Sequence, residues 1–165
     1  MDVLVVGAKG LLGSNVVAEA LDRDLAVTAA YHSSPPQFDI ERVQLDITDS
    51  RQITHVLETT NPNVVVNCAA MTDVDACEDD PEQALEVNGR APGRLAEASE
   101  KRNVEFVQVS TDYVFDGTSS KRYGESDDRN PLQVYGRSKL IGERRVVESH
   151  SKSIVPRLSF VYGRR

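Results

Sequence analysis

Residues 2–13 read DVLVVGAKGLLG. Asp2 to Gly7 is a short apolar run rich in β-branched residues. From Leu11 to Leu21 the apolar residues Leu12, Val16, Val17, Ala20 and Leu21 fall at helical spacing. The segment therefore predicts a strand, a glycine-rich turn and a helix. Gly7, Gly10 and Gly13 form G-x-x-G-x-x-G, which has one more residue between its first two glycines than the G-x-G-x-x-G fingerprint. The mechanics are alike. One glycine permits the tight turn, another lets the backbone approach a pyrophosphate, and the third lets helix pack closely on strand. The helix N-terminus adds amides and partial positive charge. Glycine triplets also occur as plain turn and packing residues, so their position at a first strand-to-helix turn is what points to a dinucleotide.

Working outward, Leu25 to Tyr31, Arg42 to Leu45, Val64 to Cys68, Phe106 to Ser110 and Ser153 to Phe160 read as further strands. Short apolar runs of this kind suit a parallel sheet covered on both faces. Asp49 with Gln52 predicts the start of a helix reaching about Thr60, and Asp80-Pro81-Glu82-Gln83 the start of another running to Lys101. A last helix is expected from Leu132 to about His150. Strands alternating with helices give an α/β architecture: a doubly wound, mostly parallel sheet of the Rossmann kind. Its expected strand order is 3-2-1-4-5-6, with helices on both faces and ligands beyond the carboxyl ends of the strands. Residues 112–131 make the one long irregular stretch, polar and rich in Gly, Ser and Asp, and such loops are more often functional than accidental.

At 165 residues the length fits one domain, and 39% hydrophobic with 27% charged residues is ordinary globular composition. The formal charge of -7 and the lack of a basic block argue against nucleic acid or an anionic membrane as partner. Cys68 and Cys77 have neither the number nor the spacing of a disulfide framework or zinc site, and no metal cluster is expected. The first residues lack a signal peptide's basic and apolar regions, and no apolar run approaches a membrane span, so a cytoplasmic location is expected. The chain ends in VYGRR directly after the last expected strand. The expectation is a cofactor-binding domain over residues 1–165, without the lobe that would cover a substrate.

Several residues promise chemistry. A dinucleotide site selective for NAD usually carries an acid at the end of the second strand, where a 2′-phosphate would be repelled. Here that stretch reads AAYHSSPP, residues 29–36, with no acid. NADP is therefore slightly favoured over NAD, with His32, Ser33 or Ser34 near the phosphate. Asp46, directly after the third strand, is placed either to accept a hydrogen bond from the adenine amino group or to cap a turn. Tyr135 and Lys139 lie four apart in Y-G-R-S-K, on one helix face. A lysine ammonium beside a phenol would lower its pKa and ready it to exchange a proton. In VSTDYVFDG, residues 109–117, Thr111 or Ser110 would hydrogen-bond a carbonyl oxygen while Tyr135 supplies the proton. His55 and His150 have no partners on their helices and read as structural or solvated. The acidic run Glu78 to Asp80 reads as helix capping.

VGAKGLLG, NCAAMTDVDACE with Asn88 after it, STDYVFDG and YGRSKLIGE, in that order and spacing, resemble the extended short-chain dehydrogenase/reductase superfamily. More narrowly, they resemble the dTDP-4-dehydrorhamnose reductase family. The resemblance implies an oxidoreductase that passes hydride from NAD(P)H to the 4-keto group of a dTDP-linked deoxysugar in dTDP-rhamnose biosynthesis. It assigns Thr111 to orienting the carbonyl, Tyr135 to donating the proton, and Lys139 to holding the nicotinamide ribose. It also places Gly7, Gly10, Leu11, Leu12 and Gly13 along the pyrophosphate and Asp46 and Ile47 at the adenine. Ala69 and Ala70 flank the cofactor, Asp112 and Tyr113 approach the sugar, and Asn88 is structural or holds water. Competing readings are a nucleotide-sugar epimerase or dehydratase, and a non-catalytic regulatory subunit of the methionine adenosyltransferase type. The implied partner is a nucleotide sugar, and a homodimer is compatible.

Overall fold

A computed structural model describes residues 1–163. Five parallel strands, β1 (Asp2–Val6), β2 (Ala26–Tyr31), β3 (Glu41–Gln44), β4 (Val64–Asn67) and β5 (Glu105–Gln108), form one sheet in the order β3-β2-β1-β4-β5. Val5 of β1 sits in register with Ala29 on one side and Val66 on the other. Successive side chains of β1 point to opposite faces, and both faces are buried. Val3 and Val5 pack with Val17 and Ala20 of α1 (Leu11–Asp22). Leu4 and Val6 join Ile53, Val56 and Leu57 of α2 (Ser50–Thr60) in the larger core, with Leu95, Phe106 and Val146. Each large apolar side chain so buried contributes about 1.5–3 kcal/mol. The strand order thus reverses beside β1, and the carboxyl ends of β1 and β4 open a crevice there.

The expected caps are present. Asp49 accepts hydrogen bonds from the amides of Arg51 at 2.8 Å and Gln52 at 3.4 Å. Asp80 accepts from the amide of Gln83 at 3.0 Å, with Pro81 at the first helical position. The acidic run has a wider role than one cap. A short helix, α3 (Val74–Asp79), precedes the expected start and is capped by Asp73. Glu78 Oε1 accepts at 2.7 Å from the amide of Val134, the first residue of α6 (Val134–Ser149).

The helix expected from Asp80 to Lys101 is three pieces: α4 (Pro81–Ala84), a π-helical segment (Leu85–Arg90) and α5 (Ala91–Glu100). Pro92 supplies the reason. It has no N–H for the carbonyl four residues back, and its ring crowds that carbonyl, which belongs to Asn88. The widened segment absorbs the mismatch, and the Ala91 amide donates to the carbonyl of Glu86, five residues back.

The expected sixth strand is also divided. Ile154 bridges Val107, donating to the Phe106 carbonyl and accepting from the Gln108 amide, both at 2.9 Å. Pro156 then lacks the N–H that would continue the ladder, although its carbonyl still accepts from Ser110 at 2.8 Å. Pairing resumes only as a two-residue parallel ladder, β6 (Ser110–Thr111) with β7 (Arg157–Leu158). The sixth position in the strand order is therefore held by a bridge and a fragment. His150, expected to be structural or solvated, is buried and bonded through Nε2 to the Val104 carbonyl at 2.8 Å.

Candidate active site

The crevice begins at the glycine turn. Gly7 has φ +76°, and a Cβ there would stand 2.7 Å from the Ala69 amide nitrogen. A Cβ on Gly13 would run into the Gly7 carbonyl oxygen. The turn therefore lies flat between α1 and the segment after β4. Gly10 precedes α1 without a side-chain cap, so the first-turn amides are left for a ligand.

Two hollows open along the carboxyl edge of the sheet. The larger, about 600 Å³, is floored by Gly10, Leu11, Leu12 and Gly13 and walled by Thr111, Tyr135 and Lys139. Asp112 and Tyr113 also border it. The smaller, about 320 Å³, has Gly7, His32, Asp46, Ile47 and Ala69 on its walls. Ala70 borders both hollows, which makes them one groove. All the expected site residues except Ser33 and Ser34 thus meet at this groove; Ser33 is exposed, and neither serine lines a hollow.

At the smaller hollow, Asp46 Oδ1 accepts from the amide and hydroxyl of Thr48 at 2.8 and 2.7 Å. The Thr48 hydroxyl, with His32 as a weaker cause, holds this carboxyl below its usual value although burial opposes them. The turn-capping reading of Asp46 is the one its hydrogen bonds bear out. Oδ1 shapes the turn, while Oδ2, 3.9 Å from His32 Nε2, faces outward. The sequence reading missed Lys9, whose ammonium donates to the Ser34 hydroxyl at the end of β2. A lysine inside the glycine triplet was the available signal.

At the larger hollow, the two candidate hydroxyls separate. Ser110 donates to buried Glu143 at 2.5 Å, whereas the Thr111 hydroxyl accepts from the Tyr113 amide at 3.2 Å and donates to Asp112 at 3.3 Å, on the wall it shares with Tyr135. The Tyr113 ring meets Tyr135 edge-on at 5.7 Å. Lys139 does not lower the Tyr135 pKa as its spacing suggested. Its Nζ donates to the Val109 carbonyl at 2.7 Å instead. The phenol is pushed above its ordinary value, chiefly by burial, with Cys77, Asp112 and Tyr113 adding and Thr111 opposing. Tyr135 consequently keeps its proton at neutral pH, as a donor must. Burial brings the Lys139 ammonium down to about 8 against the pull of Glu143 and Cys68. The neighbouring Cys68 thiol is pushed up to about 11 by its own burial.

Asn88 ties the two walls together. Its side chain accepts from the Met71 amide at 2.8 Å and donates to the Met71 carbonyl at 2.9 Å and the Ser138 hydroxyl at 3.1 Å. The segment after β4 is thereby fixed to the helix turn between Tyr135 and Lys139. Among the described residues no cluster of His, Cys, Asp and Glu could hold a metal ion, and no helix is long and apolar enough to cross a membrane.

Residues 1–165 match the family described as RmlD substrate binding domain. A relative from Haloferax volcanii, named probable low-salt glycan biosynthesis reductase Agl14, is 48% identical over the whole chain and 55% of its own length. Methionine adenosyltransferase 2 subunit beta of Bos taurus is 36% identical over 98% of the chain and 47% of its own length. The crystal structure of a dTDP-4-dehydrorhamnose reductase from Bacillus anthracis in complex with NADP is 32% identical. It superposes with a TM-score of 0.84, covering 98% of this chain and 54% of that one. The chain spans about half the length of the relatives it matches.

Proposed function

This chain belongs to the RmlD substrate binding domain family, and on that premise we propose that it binds NADP(H) or NAD(H) and serves a nucleotide-sugar reductase. The reaction would be reduction of the 4-keto group of a dTDP-linked deoxysugar. One observation carries the reading: Thr111, Tyr135 and Lys139 wall the same hollow that the uncapped glycine turn floors. The residues present fit the dinucleotide: Gly7 and Gly13 let the turn, α1 and the segment after β4 pack closer than any Cβ would permit, and Gly10 leaves the first-turn amides of α1 without a side-chain cap beside the groove. Bound there, it would supply the hydride.

The rest is done by side chains of this chain. Thr111 orients the substrate carbonyl, and Tyr135 gives its phenolic proton to the carbonyl oxygen as that oxygen becomes an alcohol. Lys139, charged below about 8, holds ribose hydroxyls. Asp112 and the exposed ring of Tyr113 face the sugar. In the smaller hollow Asp46 Oδ2 takes the adenine amino group, beside Ile47. Because the chain spans about half the length of its relatives, dinucleotide binding is what is proposed for these residues, and turnover is to be tested on a protein of the relatives' length.

The test is NADPH oxidation, followed by absorbance, with a dTDP-4-keto-6-deoxysugar. Consumption supports the reductase, whereas sugar isomerisation or dehydration without net NADPH loss would move the reading to an epimerase or dehydratase. The methionine adenosyltransferase relative favours a second reading, a regulatory subunit. Dinucleotide binding without turnover, together with binding to a methionine adenosyltransferase catalytic subunit, would establish that one.

Cofactor preference rests on Lys9 with Ser34, at the β2 end that carries His32 and Ser33 but no acid. Charge-assisted hydrogen bonds contribute about 1.5–3 kcal/mol, so Lys9→Ala should weaken NADPH binding by roughly tenfold or more. NADH binding should hardly change. Fluorescence titration with both dinucleotides checks this, and equal losses would remove Lys9 from the phosphate site.

A further inference from the structure

Lys139 and Glu143 stand one turn apart on α6, both buried, and together clamp the end of the strand that leads to Thr111. Lys139 Nζ holds the Val109 carbonyl at 2.7 Å, and Glu143 Oε1 accepts from the next residue, Ser110, at 2.5 Å. Outside the pair, Arg157 of β7 donates to both oxygens of Glu143, through Nε at 2.9 Å and Nη2 at 2.8 Å. The same guanidinium lies over the Phe115 ring at 5.4 Å and donates to the Glu125 carbonyl at 3.4 Å. Buried Lys139 and Glu143 and half-buried Arg157 thus form a string of alternating charge.

Arg157 alone would suffice to satisfy a buried carboxylate. The position of Glu143 does more than that. Lys139 bonds only a neutral carbonyl, so its charge depends on groups that do not touch it. The charged one is Glu143 from its own helix; Cys68, from the segment after β4, is a thiol raised to about 11 and carries no charge where the lysine titrates. Arg157 faces Glu143, with Glu125 acting on Arg157. Tyr135 lies one turn before Lys139 on the same helix.

We propose that Glu143 is a positioning residue for the active site: its carboxylate keeps the buried Lys139 ammonium charged and registers Thr111 against Tyr135. The inference deepens the function proposed above and rests on it for the site's purpose. Nothing in the role requires Glu143 to touch substrate or dinucleotide.

The test is a pH titration of the Lys139 side chain by NMR in the chain with ¹³C-labelled lysine. The resonance is assigned by its loss in Lys139→Arg. The parent should titrate near 8. Glu143→Gln, which keeps a hydrogen-bonding amide but loses the charge, should lower that midpoint by about one pH unit or more. NADPH affinity, which needs the ammonium, should fall off at a correspondingly lower pH in the variant. If Glu143→Gln does not fold, Glu143→Asp withdraws the charge by one methylene and should give a smaller shift in the same direction. An unchanged midpoint in a folded variant would overturn the proposal, because a purely structural glutamate would not move it. Failure of the parent to bind NADPH would overturn the function reading alone, and the titration would still decide what Glu143 does to Lys139.

Discussion

Replacing Tyr135 with phenylalanine is expected to cut reduction of a dTDP-4-keto-6-deoxysugar by roughly 10²–10⁴-fold, the usual contribution of a positioned proton donor. The loss should fall on kcat. Phenylalanine keeps the buried ring and its edge-on contact with Tyr113, so the fold and the walls of the larger hollow should survive. NADPH binding, proposed above to rest on the glycine turn and Lys139, should also survive. The pH dependence separates the two groups. The phenol, raised by burial, holds its proton throughout neutral pH, whereas Lys139 loses its charge as pH climbs through about 8. A binding limb near that pH should therefore persist in Tyr135→Phe. Steady-state rates and NADPH fluorescence, measured from pH 6 to 10 on the protein that turns over, check both points. Wild-type turnover in the variant would remove Tyr135 as proton donor.

Gly7→Ala should be the most damaging single-methyl change in the groove. Its φ of +76° places an L-residue in the left-handed region, at about 1–2 kcal/mol. The added carbon would also press on the Ala69 backbone from 2.7 Å, and overpacking of this kind costs about 1–3 kcal/mol. A combined loss of about 3 kcal/mol should lower the melting temperature by roughly 10 °C for a domain of this size. Relief can come only by pushing the segment after β4 outward, and Ala69 and Ala70 line the groove. NADPH affinity should drop with stability. Denaturant unfolding and NADPH titration of the same sample test this, and a variant with parental stability and affinity would show that the turn tolerates a side chain.

Much of this architecture is legible from local pattern. Val3 to Val6 is apolar on both faces because helices cover both, and a run of that kind beside three spaced glycines admits few alternatives. Asp49 and Asp80 announce their helices because a side-chain cap is a contact within four residues. The departures arise at two prolines, one beside a carbonyl of its own helix and one facing a distant strand. Pro92 crowds the Asn88 carbonyl and widens the helix expected to run unbroken to Lys101, and Pro156 removes one rung from a strand whose composition is otherwise sound.

The site divides in the same way. Spacing along α6 correctly put Tyr135 and Lys139 on one face, but it said nothing about which acceptor the ammonium would choose. Val109 is thirty residues away in sequence. The choice between Ser110 and Thr111 needed Glu143 in place, and Glu143 stands 33 residues away in sequence. Lys9 met Ser34 because β1 and β2 pair in parallel, which brings the turn after one strand beside the end of the other.

The acceptor that Lys139 uses is a main-chain oxygen, which every amino acid provides. Position 109 is therefore free to drift among side chains of suitable size without loosening the lysine. An insertion or deletion between the fifth strand and Thr111 would displace that oxygen at once. What the lysine requires at this point is chain length rather than residue identity.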